Sequence, residues 1–342
     1  MSKILFKIGP LKIGYNNCFI RRLIKKLALG FLQSDAETPI YDNSYFYTYR
    51  SLPRFAAEYN LVSEACSLPK TAIVVQGPVL SKHDFTFETL QFYKKIFQQN
   101  NPDIRLIFST WHDETPAVLE RIRALGIEVV LSDSCPNGAN NLNRQIVTTR
   151  AGLLRAKELG CEYVLKTRAD QRIYAPNLLT FLFNLQKIFP LDKTVRKLRQ
   201  RLIALSFNSF KYRLYGVSDM FLFGHIDDVL AYWDIPLNSY CPQHEGKSAE
   251  EIFKNESPET FICRRFLRRI GFNPTDSQED TDLCYARFFC LIDKESIDLY
   301  WPKYTNAERR WEKFEPYVME EMSFRDWLNL YCKHQSLSRS SL

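Results

Sequence analysis

Residues 143–174 read NRQIVTTRAGLLRAKELGCEYVLKTRADQRIY. The first half predicts a helix over 143–159. Gly160 stops it, because glycine accepts the left-handed conformation that ends many helices. The next run, Glu162–Lys166, is short and apolar at its centre and predicts a strand. It empties into Thr167-Arg168-Ala169-Asp170, a polar loop. Helix, strand and polar loop in close succession are one round of an α/β fold.

Working outward, the same round recurs upstream. Thr71–Val75 predicts a strand that ends at Gln76-Gly77-Pro78, a turn signal, and a helix is expected over 86–99. Residues 104–108 (IRLIF) predict a second strand, ending at Ser109-Thr110-Trp111. A helix over 115–125 stops at Gly126, and Ile127–Leu131 predicts a third strand that ends at Ser132-Asp133. Repeated alternation of this kind predicts an α/β fold, a mostly parallel twisted sheet with helices on both faces. In such sheets ligands bind at the carboxyl ends of the strands. The polar clusters around Gln76, Ser109–Asp113, Ser132–Asp133 and Thr167–Arg172 all fall there. Strand-to-helix loops are polar in any case, so position alone does not make them a site.

Downstream, Leu202–Phe207 and Met220–Phe223 read as strands, and Asp227–Tyr232 and Glu259–Arg269 as helices. Residues 308–342 are rich in charge and aromatics and end in serines, a C-terminal elaboration. Residues 18–32 (CFIRRLIKKLALGFL) place apolar side chains at steps of three and four with basic residues between them. This predicts an amphipathic basic helix, docked on the protein or lying on an anionic membrane surface. Residues 33–70 carry no clear period and read as a linker. The expected organisation is therefore an N-terminal segment over 1–70, then two halves of one catalytic domain, 71–180 and 181–342.

Composition narrows the function classes. The net charge of +7 is carried partly by local runs: an acid-free N-terminus, Lys193–Arg201 and Arg264–Arg269. Such runs suit anionic lipid, an anionic glycan or nucleic acid. No nucleic-acid-binding motif accompanies them, so nucleic acid is not an expected partner. The nine cysteines are scattered without CxxC pairs, which argues against a disulfide framework or a zinc site. With no secretory signal and no run of about 18 apolar residues, the expected location is the cytoplasm, with peripheral attachment to the inner face of the membrane open. No GxGxxG follows the first strand, and no Walker A, HExxH or GxSxG sequence is present.

Six pieces, in order, are VVQGPV at 74–79, STW at 109–111, NRQI at 143–146, KTRADQRI at 166–173, VSDMFLFG at 217–224 and SPETFI at 257–262. Together they resemble the WavE-type lipopolysaccharide synthesis family, within a layout similar to GT-A glycosyltransferases. The resemblance covers roughly residues 71–270. It implies an enzyme that moves a sugar from a nucleotide-sugar donor to a glycan or glycolipid acceptor of a bacterial surface polysaccharide. It also implies a DXD motif after the fourth strand, holding Mg²⁺ or Mn²⁺ on the donor diphosphate. Here the first acid of that motif is Arg168, so the motif reads Arg-Ala-Asp. Asp170 is then the expected metal ligand. Alternatively Lys166, Arg168 and Arg172 neutralise the diphosphate without metal, as guanidinium forks do.

The expected roles follow. Arg168 and Arg172 stabilise the leaving group together with Asp170. Gln76, Gly77, Asn143, Arg144 and Gln145 contact the nucleotide, where Gly77 also serves the turn and Asn143 also suits a cap. Asp219, opening the apolar run MFLF, and Glu259, at a helix start, are the candidates for acceptor contact and base. The acidic cluster Glu279–Asp282 is expected to be a solvated face. A competing reading, a sugar-nucleotide nucleotidyltransferase, expects a Gly-rich basic loop after the first strand. QGPVLSKHD supplies only Gly77 and Lys82 toward it.

Overall fold

The computed structural model describes residues 4–8, 11–14, 52–59, 67–99, 101–239, 257–302 and 320–340. The helix predicted over 18–32 lies outside the described residues. The chain forms two units, Met1–Leu52 and Pro53–Leu342. In the first, strands β1 (Ile4–Ile8) and β2 (Leu11–Gly14) pair as an antiparallel hairpin.

The second unit is built on one seven-stranded sheet. Its first half follows the sequence closely: β3 (Thr71–Gln76), α1 (Phe85–Tyr93), β4 (Ile104–Trp111), α2 (Pro116–Ala124), β5 (Glu128–Ser132), α3 (Leu142–Glu158) and β6 (Tyr163–Arg168). Strands β5, β4, β3 and β6 lie side by side in that order, all parallel. Then come β7 (Arg172–Ile173), α4 (Leu178–Ile188), β8 (Leu202–Leu205), β9 (Leu222–His225) and α5 (Ile226–Trp233). The last elements are α6 (Pro258–Arg269), α7 (Gln278–Phe288), β10 (Phe289–Ile292), β11 (Leu299–Tyr300) and α8 (Phe324–Ser340). The sheet continues from β6 through β9, which runs antiparallel to both its neighbours, to β8 and β10. One antiparallel strand in an otherwise parallel sheet is the predicted α/β class. Residues 71–180 and 181–342 thus share one sheet.

Helix α3 shows why the core is tight. Its buried residues Leu142, Ile146, Thr149, Leu153 and Ala156 recur at steps of three and four, the stripe a helix lays on a sheet. At its closest approach stands Gly152, where an added Cβ would lie 2.5 Å from Val74 Cγ1 and 3.0 Å from Ser109 Cβ. No larger residue fits without moving the helix off the sheet. Residues 53–59, read from sequence as linker, pack in this unit. Tyr59 donates its hydroxyl to the Tyr174 carbonyl at 2.6 Å, and Ala56 N–H donates to Glu88 Oε2 at 2.9 Å.

Candidate functional site

The carboxyl end of β6 gathers charge from four segments. Lys166 and Arg168 come from β6 itself, and Asp170 from the turn after it, which is pinned to β3 by Ala169 N–H donating to Gln76 O at 2.8 Å. Asp219 precedes β9. Because β9 runs antiparallel to β6 with Leu222 opposite Lys166, the residues before Leu222 fall beside the end of β6. Glu259 sits in the first turn of α6, whose start is fixed by the Ser257 hydroxyl accepting from Thr260 N–H at 3.2 Å. Arg213 arrives from the loop between β8 and β9. Three cations and three carboxylates therefore share one partly enclosed place.

Within it, Arg168 and Asp170 form a two-pronged ion pair. Nε and Nη2 each donate to one carboxylate oxygen at 2.8 Å. Asp170 Oδ2 also accepts from Trp301 Nε1 at 3.1 Å. Trp301 reaches this point because β11 pairs antiparallel with β7, placing Tyr300 opposite Arg172. Lys166 is fully buried, donates Nζ to the Asp219 backbone carbonyl and lies 4.6 Å from the Trp233 ring centroid. Burial lowers its pKa to about 7, with the Asp219 charge working the other way. Arg213, also buried, holds Glu259 Oε2 at 3.1 Å. Burial raises the Glu259 carboxyl above its ordinary value; Arg213 opposes that rise, and the Asp219 charge adds to it.

The other sequence candidates stand elsewhere. Arg172, expected at the leaving group, is turned away and buried under α1. It donates to Thr89 Oγ1 at 2.9 Å, Phe85 O at 3.1 Å, Arg54 O at 2.5 Å and the Tyr174 hydroxyl at 3.3 Å. Its fork is spent on structure. Asn143 is a clamp: its amide donates to Asn238 O at 2.8 Å and accepts from Asn238 N–H at 2.6 Å. Gln76 is buried and accepts from the Thr148 hydroxyl of α3 at 2.9 Å. Gly77 adopts φ of +116°, a conformation open to glycine, so the turn explains it. Arg144 lies 4.8 Å from the buried Trp111 ring, a cation–π stack. Gln145 keeps a buried side-chain oxygen that meets no donor among the described residues. Asp280, expected to be solvated, accepts from the Tyr215 hydroxyl at 2.6 Å and from Thr275 N–H at 3.1 Å. Sequence reading missed Arg213, Trp301 and Trp233, which come from loops and a helix end without a motif.

A divalent metal does not fit Asp170 and Glu259 as they are engaged. Hard cations take several oxygen ligands, usually including free carboxylate oxygens. Both Asp170 oxygens already face a guanidinium, and one also faces an indole N–H. Glu259 is held by Arg213. Among the described residues no three His, Cys, Asp or Glu side chains gather as a ligand set. A cavity of about 600 Å³ along α1, lined in part by Gln91, Lys94, Lys95 and Gln98, carries no carboxylate and shares no lining residue with the charged cluster.

Comparison with known proteins places the chain. The family described as WavE lipopolysaccharide synthesis matches residues 71–341. No curated protein sequence is significantly similar. Among solved structures, one similar chain is a glycosyltransferase involved in glycosylation of the major capsid of PBCV-1. It is 11% identical, with 70% of this chain and 98% of that chain covered and a TM-score of 0.34. Another is the 4-diphosphocytidyl-2C-methyl-D-erythritol synthase of Anaerococcus prevotii, 8% identical, covering 78% and 99%, TM-score 0.37. A third is mannose-1-phosphate geranyltransferase from Thermus thermophilus, 18% identical, TM-score 0.28; the match spans 40% of this chain and 41% of that one. At these scores the likenesses carry no argument.

Proposed function

The chain belongs to the WavE lipopolysaccharide synthesis family and is a transferase, and we propose that it moves a glycosyl group from a nucleotide-sugar donor to a lipopolysaccharide or capsular polysaccharide acceptor. The observation that carries this reading is the cluster at the end of β6, where cations and carboxylates meet at the ligand-binding edge of an α/β sheet.

Glycosyl transfer needs those two kinds of group. Negative charge develops on the diphosphate as the bond to the anomeric carbon breaks, and preorganised cations stabilise it. Arg168 is the cation placed for this, because its side chain is 19% exposed while Lys166 is closed off behind Asp219. The acceptor hydroxyl gives up its proton as its oxygen bonds the anomeric carbon. Glu259 takes that proton: it is an acid whose pKa burial lifts toward the working pH, as an effective base requires. Arg213 keeps Glu259 oriented, and Asp219 completes the acidic side. Peripheral attachment to an anionic membrane remains part of the proposal through the basic N-terminal segment. Among the described residues no helix is long and apolar enough to cross a membrane.

The test is incubation with a panel of nucleotide-sugars and a crude lipopolysaccharide acceptor, following nucleoside diphosphate release. Release from one donor, lost in Glu259→Gln, supports the reading. Pyrophosphate release from a nucleoside triphosphate and a sugar phosphate, with no donor turnover, moves the chain to the nucleotidyltransferase class.

A further inference from the structure

The Arg168–Asp170 pair holds more than a failed metal motif. Its donors are a guanidinium edge and an indole N–H, converging on one anion. Guanidinium forks bind carboxylate and phosphate with the same two parallel hydrogen bonds. The occupant here is the chain's own carboxylate, two residues away on a turn. Rotation about the Asp170 side-chain bonds would take its carboxylate out of the fork. Both side chains remain reachable, at 19% and 26% exposed.

Charge balance points the same way. Lys166, Arg168 and Arg213 face Asp170, Asp219 and Glu259, so an incoming diphosphate would add uncompensated negative charge. If Asp170 swings out to solvent, one carboxylate leaves as the phosphate arrives. Gln171, between Asp170 and Arg172, is fully buried, and neither its amide oxygen nor its nitrogen makes a hydrogen bond among the described residues. Buried amides are nearly always paired. The turn after β6 therefore carries a polar side chain that is not satisfied among the described residues.

We propose that Asp170 is a place-holder for the donor diphosphate: its carboxylate occupies the Arg168 fork and the Trp301 indole, and phosphate oxygens replace it there without a divalent cation. The proposal rests on the transferase reading and gives Asp170 the opposite sign to a metal ligand. A metal ligand strengthens diphosphate binding; a place-holder competes with it.

Titration calorimetry with inorganic pyrophosphate, in EDTA and then in Mn²⁺, separates the two. The expected result is binding in EDTA that tightens by about tenfold in Asp170→Asn, the scale of one hydrogen bond between charged groups, and is lost in Arg168→Gln. Asp170→Ala, which removes the carboxylate altogether, should follow Asp170→Asn, and thermal unfolding of each variant checks the fold. Binding that requires Mn²⁺ and disappears in Asp170→Asn overturns the proposal, and so does absence of binding in every buffer. Donor turnover run in parallel keeps the two readings distinct. Turnover abolished by EDTA leaves the transferase standing and sinks the place-holder. Metal-free pyrophosphate binding with no turnover of any nucleotide-sugar does the reverse.

Discussion

Replacing Arg172 by methionine discriminates between the role its sequence position suggests and the one its contacts dictate. In the KTRADQRI run it reads as a third phosphate-binding cation. In the fold it is 1% exposed and donates four hydrogen bonds, to Thr89, Phe85, Arg54 and Tyr174, with its guanidinium carbon 4.7 Å from the Phe85 ring centroid. Each bond contributes about 1 kcal/mol net, so roughly 4 kcal/mol is lost. Part returns, because the guanidinium meets no carboxylate among the described residues and its desolvation ends with it. Three of the four acceptors also keep another partner: Thr89 still donates to Phe85 O, and the Tyr174 hydroxyl to Pro53 O. The working figure is a loss of about 2–3 kcal/mol. Urea denaturation of wild type and Arg172→Met reads it as a lower midpoint at unchanged slope. Pyrophosphate affinity of the folded protein should stay within about twofold, below 0.5 kcal/mol. An unchanged midpoint with affinity down tenfold or more would refute this reasoning and return Arg172 to the donor site.

Three further outcomes follow from the same geometry. Glu259→Gln should lower transfer by at least about a hundredfold, the usual contribution of a general base. In wild type the active form is the carboxylate, and its folded pKa is raised by burial and Asp219. Activity should therefore fall with decreasing pH at a value above the ordinary glutamate range, an acid limb read from the rate profile and absent in the glutamine variant. Lys166, with a folded pKa lowered to about 7, contributes stability that is present above its unfolded value and lost as pH falls toward 7. Wild-type stability should accordingly rise between about pH 7 and 10, more steeply than that of Lys166→Met, in urea melts at matched pH. Gly77→Ala tests backbone strain alone, since the nearest side-chain atom to its Cβ is Ala169 Cβ at 3.9 Å while φ is +116°; a loss of about 1–3 kcal/mol is expected by thermal unfolding.

The opening α/β rounds were legible because their signals, short apolar runs and helical stripes with stops at Gly126 and Gly160, agreed with one another. One boundary slipped on polarity. The strand read as ending at Phe108 continues to Trp111, because Ser109 and Thr110 are buried and the Ser109 hydroxyl donates to Thr148 O at 2.6 Å. A polar residue with a partner belongs in a strand as readily as valine, and sequence does not print the partner. Strand β10 was missed because Phe289 follows directly on α7, with no turn residue between them.

The site divides along the same line. Lys166 and Arg168 are two residues apart on a strand, share a face, and lie within electrostatic reach of Asp219. Arg172 has the same type and lies four residues from Arg168, yet it ends on the other side. After Asp170 the chain leaves the sheet, pairs with Leu299–Tyr300 and turns the guanidinium under α1. That decision is made by β11, more than a hundred residues downstream, and by the aromatic floor of Phe85 and Tyr174. The same distant ladder delivers Trp301 to Asp170. A motif of eight residues carries the identity of the charges; which of them reaches a ligand is set by which distant segment pairs with the turn between them. That is why the decisive question for this enzyme, whether Asp170 holds a metal or holds a place, is one of partners, and why the isosteric Asp170→Asn substitution, which removes only the charge, answers it.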